Sequence, residues 1–292
     1  MNSKIRTDLA AEAHQLWREN AEKTTELRGV RASQERCGSF LVESVEILDE
    51  EGEAALGKPK GRYVCIDLEG YIRREENAFE EACALISKKL GEMLRLENIG
   101  NCLVVGLGNR DITPDAIGPD ALDCVMVTRH LKERMPQEFA AFRPVSALCS
   151  GVLGTTGIES GDVIASVCEK TKPAAVIAVD ALAARSCDKL CRSVQIADTG
   201  IVPGSGVGNA RKALSRETLG VPVIAIGVPT VVDAATLVYD FAGKDASDAA
   251  GLFVTPRDID RSVRDISKLI GYSINLALHE GLTIADIDMF VS

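Results

Sequence analysis

The feature that most constrains the fold of this chain is a set of apolar runs that lead into acidic residues. The run at 174–179 ends on Asp180, the run at 194–197 ends on Asp198, and the run at 103–107 is followed shortly by Asp115. Continuous apolar runs are typical of strands that are buried on both faces of a parallel sheet. Open α/β folds place their functional groups beyond the carboxyl ends of such strands. The sequence therefore predicts that carboxylates from distant segments meet at one edge of a sheet.

Helical segments separate the apolar runs, and this alternation predicts an α/β fold. Apolar residues three to four apart indicate amphipathic helices, whereas uninterrupted apolar runs of about four to eight residues indicate buried strands. Helices are expected at 9–26, 75–96, 118–134, 230–239 and 257–279, and strands at 40–47, 63–68, 103–107, 163–168, 174–179, 194–197 and 221–228. The expected architecture is a three-layer αβα arrangement with a mainly parallel central sheet. Without a clear linker or an internal repeat, residues 1–292 are predicted to form a single domain.

Composition and charge disfavour several classes of function. The formal net charge of −10 argues against a nucleic-acid partner and against binding to anionic membranes. The apolar runs are much shorter than the ~20 residues of a membrane helix, and the N-terminus lacks the apolar core of a signal peptide. Several of the nine cysteines lie in apolar segments, which indicates buried thiols in a reducing compartment. We therefore expect a cytoplasmic protein.

Motifs for metal binding and for nucleophilic catalysis are weak. The histidines His14, His130 and His279 stand apart from any cysteine or carboxylate cluster at ligand spacing, so no metal or other cofactor is expected. Ser205 lies between two glycines, but the outer glycine spacing of a serine-hydrolase motif is missing, and a histidine base would be needed. Cys149 would need the same base. Serine or cysteine catalysis is therefore disfavoured.

The glycine-rich segment Gly204-x-Gly206-x-x-Asn209 partly matches a dinucleotide-binding fingerprint. It lacks the third glycine, it does not directly follow a strand, and the acidic residue expected ~20 residues further on is missing. A turn that caps a helix beginning near Val207 is the favoured interpretation. A nucleotide-binding regulatory module is the non-enzymatic alternative.

Acidic residues are the strongest candidates for chemistry. Taken singly, Asp115 precedes a predicted helix and Asp180 precedes a turn, so each could be a cap. Taken together, both follow predicted parallel strands, and two carboxylates held close together cannot easily both ionise. Such a pair shares one proton, so one carboxylate can act as a base on water while the other donates to a carbonyl oxygen. Asp198 and Asp233 follow other strands, so the choice of partners stays open on physical grounds alone.

Ordered matches along nearly the whole chain resemble the germination proteases of spore-forming bacteria. The most distinctive segments are GLGN at 106–109, TPDAIGP at 113–119 with Asp115, VIAVDALAAR at 176–185 with Asp180, DTG at 198–200 and PGSGVGN at 203–209. The other matching segments are RTDLA at 6–10, GIE at 157–159, EKTKP at 169–173, the stretch 220–233, and VTP at 254–256 with the helix after it. Such an extended, ordered set is far more specific than any short motif in the chain.

The resemblance implies an endopeptidase that begins the degradation of small acid-soluble spore proteins during germination. Germination proteases are regarded as atypical aspartic proteases made as zymogens, and their two essential aspartates match Asp115 and Asp180 by motif position. The resemblance also implies a homotetramer in the spore core and a fold related to that of the hydrogenase maturation proteases. Further positions expected to line the site are Asn109, Asp111, Asp198, Gly204, Ser205, Gly206 and Asn209.

The N-terminal segment resembles a substrate of the same proteases. Residues 7–12, TDLAAE, match a pattern of threonine, acid, apolar residue, alanine and a later glutamate. We therefore predict self-cleavage between Asp8 and Leu9 at mildly acidic pH, which removes residues 1–8 as a propeptide. A helix cap at Thr7 or Asp8 is the alternative. Asp111 is an additional acid beside Asp115, and we expect its charge to raise the pKa of Asp115.

A metal-dependent maturation protease of related fold is the alternative enzyme. It would need acidic ligands and a histidine near Gly108 and Asn109, and His130 is the candidate in that part of the sequence. A chelator would inactivate such an enzyme, whereas an aspartate pair predicts no sensitivity to chelation.

Overall fold

The computed structural model describes residues 6–20, 27–95, 100–243, 246–249 and 251–291. Residues 1–5 of the predicted propeptide and 21–26 of the predicted first helix lie outside this set. Within the described residues, the strands are β1 Val30–Cys37, β2 Phe40–Ile47, β3 Gly61–Asp67, β4 Cys102–Gly106, β5 Val145–Cys149, β6 Ala175–Ala184, β7 Ser193–Ala197, β8 Val223–Asp233 and β9 Phe253–Val254.

These strands form one mixed sheet in the order β1-β2-β3-β7-β8-β6-β4-β5, and β9 pairs with the carboxyl end of β8. β5, β4, β6 and β8 run parallel to one another, as predicted for the centre of the sheet. β7, β3, β2 and β1 extend the sheet through antiparallel ladders. The parallel arrangement is therefore limited to four strands, and the direction of β7 is the main difference from the expected sheet.

The helices cover the sheet and connect its strands. Their bounds are α1 Ala10–Asn20, α2 Glu50–Leu56, α3 Glu69–Ile72, α4 Ala78–Leu94, α5 Ile117–Leu122, α6 Arg129–Arg134, α7 Leu153–Thr156, α8 Ser160–Thr171, α9 Arg216–Leu219, α10 Ala234–Ala242, α11 Ile259–Leu278 and α12 Ile284–Val291. None of these described helices is long and apolar enough to span a bilayer.

Two layers of helices enclose the parallel strands, which confirms the expected three-layer α/β architecture. Successive side chains of a strand point to opposite faces of the sheet. On β6, Ile177 and Val179 pack with residues of α4, α5 and α11, whereas Val176 and Ala178 pack with Ile164 of α8. Because both faces of β6 are covered, its residues up to Asp180 form a continuous buried run.

One predicted strand, at 163–168, is instead the middle of α8. Ile164 and Cys168 are buried four residues apart, on one face of this helix. A connection from β5 to another parallel strand of the same sheet needs a crossover, which is usually helical. The short apolar run therefore belongs to the buried face of a crossover helix, and its periodicity was too brief to distinguish it from a strand.

Other predicted boundaries also differ. β6 and β8 continue past their apolar runs because they pair with each other as far as Ala184 and Val232. The helix predicted to begin at residue 230 therefore begins only at Ala234, as α10. The predicted helix 118–134 is divided into α5 and α6. The side chain of Asn275 on α11 bonds the backbone N–H of Met126 (2.8 Å) and the carbonyl of Cys124 (2.8 Å) in the turn between them. The strands β1, β5 and β9 were not predicted. β1 lacks an apolar run because it is largely exposed and polar.

Candidate active site

A cavity of about 720 Å³ opens at the carboxyl ends of β4 and β5 and along the extended part of β6. Its walls are the loop after β4, the α7 segment after β5 and the loop at 202–211. Asp115 and Asp180 both line it, together with Asp8 from the N-terminal segment. A larger cavity, about 1070 Å³, lies between α1 and the β1–β2 hairpin and contains none of these aspartates. Three aspartates from distant parts of the chain thus share the first cavity, and Glu159 is a fourth acidic residue in its lining.

Asp115 is positioned by a glycine turn and by a contact with the sheet. Its Oδ2 accepts a hydrogen bond from the backbone N–H of Asn109 (2.8 Å). Gly108 has a φ of +104°, and a Cβ there would lie 2.1 Å from the carbonyl oxygen of Asp115, so only glycine permits this approach. The buried hydroxyl of Thr230 on β8 donates to the carbonyl of Pro114 (2.7 Å) and ties the turn to the sheet. Asp115 makes no cap bond to α5, whose N-cap residue is Ala116.

Asp180 lies inside β6, not after it. Pairing between β4 and β6 ends at Val179, so Asp180 is the first residue of β6 that extends past β4. Only 4% of Asp180 is exposed, and its Oδ1 accepts a hydrogen bond from the N–H of Ala181 (2.9 Å). Burial, followed by the negative charges of Asp115 and Asp8, raises the pKa of Asp180 well above its usual value.

Burial also raises the pKa of Asp115, against the opposing effect of the hydrogen bond from Asn109. The expected contribution of Asp111 to this pKa is not found: Asp111 is exposed and does not line the cavity. Two carboxylates whose charged forms are both disfavoured will bind a proton more tightly than free aspartates do. Such a pair can supply an acid and a base to the same bond.

The N-terminal segment lies along β6 and places the Asp8 side chain in the cavity. The N–H of Asp8 donates to the carbonyl of Ala183 (2.8 Å), and the N–H of Ala183 donates to Asp8 Oδ2 (2.9 Å). The hydroxyl of Ser205 donates to Asp8 Oδ1 (2.9 Å). Lys58 Nζ donates to the carbonyl of Thr7 (3.0 Å). The Asp8 carboxylate therefore binds groups across the cavity and not the first turn of α1.

The residues after Asp8 are anchored firmly. Leu9 is fully buried, in an apolar cluster that includes Leu182 and Val232. The Gln195 side chain on β7 accepts from the N–H of Ala10 (2.8 Å) and donates to the carbonyl of Asp8 (3.2 Å). The peptide bond between Asp8 and Leu9 is consequently held on both sides.

Glu12 forms a second anchor one helical turn further on. It is buried, and its carboxylate accepts hydrogen bonds from the N–H groups of Arg185 (2.7 Å) and Ser186 (3.0 Å) and from the Thr7 hydroxyl. Burial raises the pKa of Glu12, and these hydrogen bonds oppose the rise. Sequence reasoning did not identify the partners of the N-terminal segment. A glutamine inside the apolar strand β7 was the available signal, because a buried polar side chain needs a partner.

Five of the predicted lining positions do line the cavity: Asn109, Gly204, Ser205, Gly206 and Asn209. Asp111 and Asp198 do not. Because β7 is antiparallel to β8, the residue after β7 lies toward the opposite edge of the sheet. There Asp198 binds the backbone N–H (2.7 Å) and Nε (2.9 Å) of Arg62. The prediction that Asp198 lines the site is wrong because it assumed that the strand before Asp198 runs parallel to its neighbours.

The residues suggested for a metal-dependent protease and for a nucleotide-binding module do not have the arrangement that either function needs. His130 lies on α6 and does not line the cavity. Across the described ranges, no three His, Cys, Asp or Glu side chains are grouped to hold a metal ion. The glycine-rich loop forms a 3-10 turn at Ser205–Val207, and the next helix along the chain is the one-turn α9. The helix expected near Val207 is thus missing, together with the strand–turn–helix context of a dinucleotide site.

Two carboxylates with raised pKa values share one cavity at the edge of an α/β sheet, an arrangement suited to acid–base chemistry. Comparison with known proteins is more specific. A model of the germination protease family matches residues 10–243. The germination protease of Clostridium perfringens is 40% identical and covers 99% of both chains, and that of Caldanaerobacter subterraneus is 41% identical and covers 96% of this chain and 95% of its own. The germination protease of Bacillus cytotoxicus is 47% identical over 81% of this chain and 65% of its own.

The chain therefore belongs to the germination protease family, and by that membership it is a peptidase. Among solved structures, a NiFe hydrogenase maturation protease, HycI from Thermococcus kodakarensis, aligns with 64% of this chain and 98% of its own, at 18% identity and a TM-score of 0.35.

Proposed function

We propose that this chain is an aspartic-type endopeptidase of the spore cytoplasm that begins the breakdown of small acid-soluble spore proteins during germination. The observation that supports this most directly is the shared cavity of Asp115 and Asp180, in which burial raises the pKa of both carboxylates. Family membership supports the peptidase class, and the resemblance of residues 7–12 to the family's substrates supports the choice of substrate.

We assign the acid role to Asp180 and the base role to Asp115. Asp180 is the more buried carboxylate and is repelled by two other carboxylates, so it holds the shared proton. Asp115 accepts an N–H bond from Asn109, which favours its ionised form. In the first step, Asp115 removes a proton from water, the water oxygen bonds to the carbonyl carbon, and Asp180 protonates the carbonyl oxygen. In the second step, the C–N bond breaks as the nitrogen takes the proton from Asp115. The carbonyl re-forms as the hydroxyl on the same carbon returns its proton to Asp180.

Self-cleavage between Asp8 and Leu9 forms part of the proposal, with residues 1–8 as a propeptide of a single-domain zymogen. The support is that Asp8 lines the same cavity as the two aspartates and that Leu9 and Gln195 hold the following residues in place. Because one carboxyl of the pair must be protonated, cleavage should be favoured at mildly acidic pH. By resemblance to the family, we also propose a homotetramer, which sedimentation would measure.

Asparagine substitutions test the dyad. Asp115→Asn and Asp180→Asn should each lower the rate of cleavage of a small spore protein, and of Asp8–Leu9, by about 10²–10⁴-fold. Circular dichroism should show an unchanged fold, since asparagine has nearly the same shape. Asp111→Asn, which removes an exposed carboxylate just outside the cavity, is the matched control and should cleave at the wild-type rate. A folded Asp180→Asn protein with full activity would refute the mechanism.

A further inference from the structure

We propose that Ala183, Ser205 and Gly206 form a specificity subsite for an acidic side chain on the amino side of the cleaved bond, with Lys58 as a positioning residue. The inference rests on the proposed endopeptidase function. It adds the groups that select the residue before the cut, none of which belongs to the aspartate pair.

Both oxygens of a carboxylate are satisfied in this recess. For Asp8, the N–H of Ala183 supplies one hydrogen bond and the hydroxyl of Ser205 the other, each at 2.9 Å. The carbonyl of the same Ala183 accepts the N–H of Asp8 (2.8 Å), which fixes the backbone from which the side chain extends. An apolar side chain in this place would leave the N–H of the buried Ala183 without this acceptor, and hydrogen bonds to charged groups are stronger than those between neutral groups. The recess therefore selects an acid.

Gly206 provides the room for that carboxylate. A Cβ at residue 206 would lie 2.0 Å from Asp8 Oδ2 and 2.7 Å from the Cβ of Ala183, far inside contact distance. Gly206 is buried and lies in the 3-10 turn at Ser205–Val207. The loop at 204–209 partly resembles a nucleotide-binding fingerprint, but its Gly206 is explained by close contact with an acidic side chain.

Lys58 sets the position of the peptide without reading its side chains. Its Nζ donates to the carbonyl of Thr7, the residue before the acid (3.0 Å). Burial lowers the pKa of Lys58, while the negative charges of Asp8 and Glu12 oppose that fall. The contact of Lys58 is to backbone, so Lys58 does not select the side chain before the acid, whereas its positive charge favours an acid at the next position.

The recess becomes available to other chains once residues 1–8 depart. Asp8 is on the amino side of the proposed cut, so its departure uncovers Ala183 and Ser205. Leu9 is on the other side of the proposed cut, and in the uncleaved chain it is fully buried in its apolar cluster. The acid recess is thus the part of the N-terminal binding site that self-cleavage transfers from the propeptide to the substrate.

A double-mutant cycle in the full-length chain tests the recess. Asp8→Ala, Ser205→Ala and the double variant are compared by the rate of cleavage at Asp8–Leu9 and by hydrogen exchange of the amide at residue 8. We expect Ser205→Ala to slow cleavage and to speed exchange about tenfold each, the effect of one charge-assisted hydrogen bond. The double variant should behave like Asp8→Ala alone, since the same contact is lost in both. Ser166→Ala, an exposed serine on α8, is the control and should change neither rate.

A second assay measures selectivity in the processed chain. The probe is a peptide that copies residues 3–16, SKIRTDLAAEAHQL, together with its variant carrying alanine in place of the aspartate. The ratio of kcat/KM for the two peptides should fall about tenfold in Ser205→Ala, whereas a purely structural defect would lower both values equally. Gly206→Ala should abolish the preference for the acid.

The outcomes separate the subsite from the proposed function. Additive effects in the cycle, or an unchanged peptide ratio in Ser205→Ala, would overturn the subsite while leaving the aspartate pair intact. If the wild-type chain cut nothing, the endopeptidase proposal would fail, and hydrogen exchange at residue 8 would still report whether Ser205 and Asp8 are coupled. Gly206→Ala can disturb the loop, so the decision rests on the smaller change, Ser205→Ala.

Discussion

Replacement of Asp180 by asparagine should change how the stability of the protein depends on pH. Burial and two neighbouring carboxylates raise the pKa of Asp180 in the folded state well above 3.8. In the unfolded chain the same group titrates near pH 3.9. Between these two pKa values the native state binds one proton more than the unfolded state, so the free energy of unfolding must fall as pH rises.

The magnitude follows from that single proton. One extra proton in the native state lowers the free energy of unfolding by up to about 1.4 kcal/mol per pH unit. The stabilising contribution of Asp180 is fully present below about pH 3.9 and is lost as pH rises through its folded-state pKa. An asparagine has no proton to lose, so the Asp180→Asn variant should gain stability relative to wild type with each pH unit. The difference should become constant once Asp180 is ionised in the native protein.

Urea unfolding at half-unit steps from pH 4 to pH 8 measures this difference directly. Asp111→Asn is the matched control: it removes a solvated carboxylate outside the cavity, and its curve should run parallel to that of wild type. If the curves for Asp180→Asn and wild type were also parallel, Asp180 would have no raised pKa, and the argument that it holds the proton of the pair would fail.

Three further predictions concern stability and metal dependence. Leu9→Ala should destabilise the protein by about 2–5 kcal/mol in thermal unfolding because Leu9 is fully buried, whereas Leu252→Ala, at a side chain that is 64% exposed, should change stability by less than about 0.5 kcal/mol. Burial lowers the pKa of His279 to about 4, so the wild-type protein should lose stability as pH falls from 6.5 to 4. His279→Phe should reduce that loss by up to about 3 kcal/mol. An equal loss in both proteins would contradict the lowered pKa of His279. A chelator should leave the rate of self-cleavage unchanged, and inactivation would favour the metal-dependent alternative.

Several elements of the fold could be read from local pattern. Apolar runs located β4, β6, β7 and β8, and the amphipathic spacing at 75–96 located α4. The pattern failed where its period was ambiguous: the six apolar-rich residues at 163–168 suit a strand or a buried helix face, and only the crossover to β6 decides for the helix. It also failed for β1, which is polar and exposed and is a strand because β2 pairs with it.

The candidate site shows the same division. Two predicted carboxylates, Asp115 and Asp180, share the cavity because each follows the point where parallel pairing with β4 ends. Asp198 follows an equally apolar strand and lies elsewhere, because apolarity carries no information about strand direction. Their catalytic roles stay predictions.

The sequence by itself determined that this chain forms an α/β sheet with acidic residues at its strand ends, since side-chain periodicity and burial are local properties of the chain. Tertiary structure alone decided which of those acids meet, and it placed Asp8 against Ala183 and Ser205. The contact between Asp8 and Ala183 joins residues 175 positions apart, and Ala183 takes part in it only through its backbone N–H and carbonyl, groups that almost every residue type carries alike. No pattern of side chains can specify those pairings before the strands have taken their register.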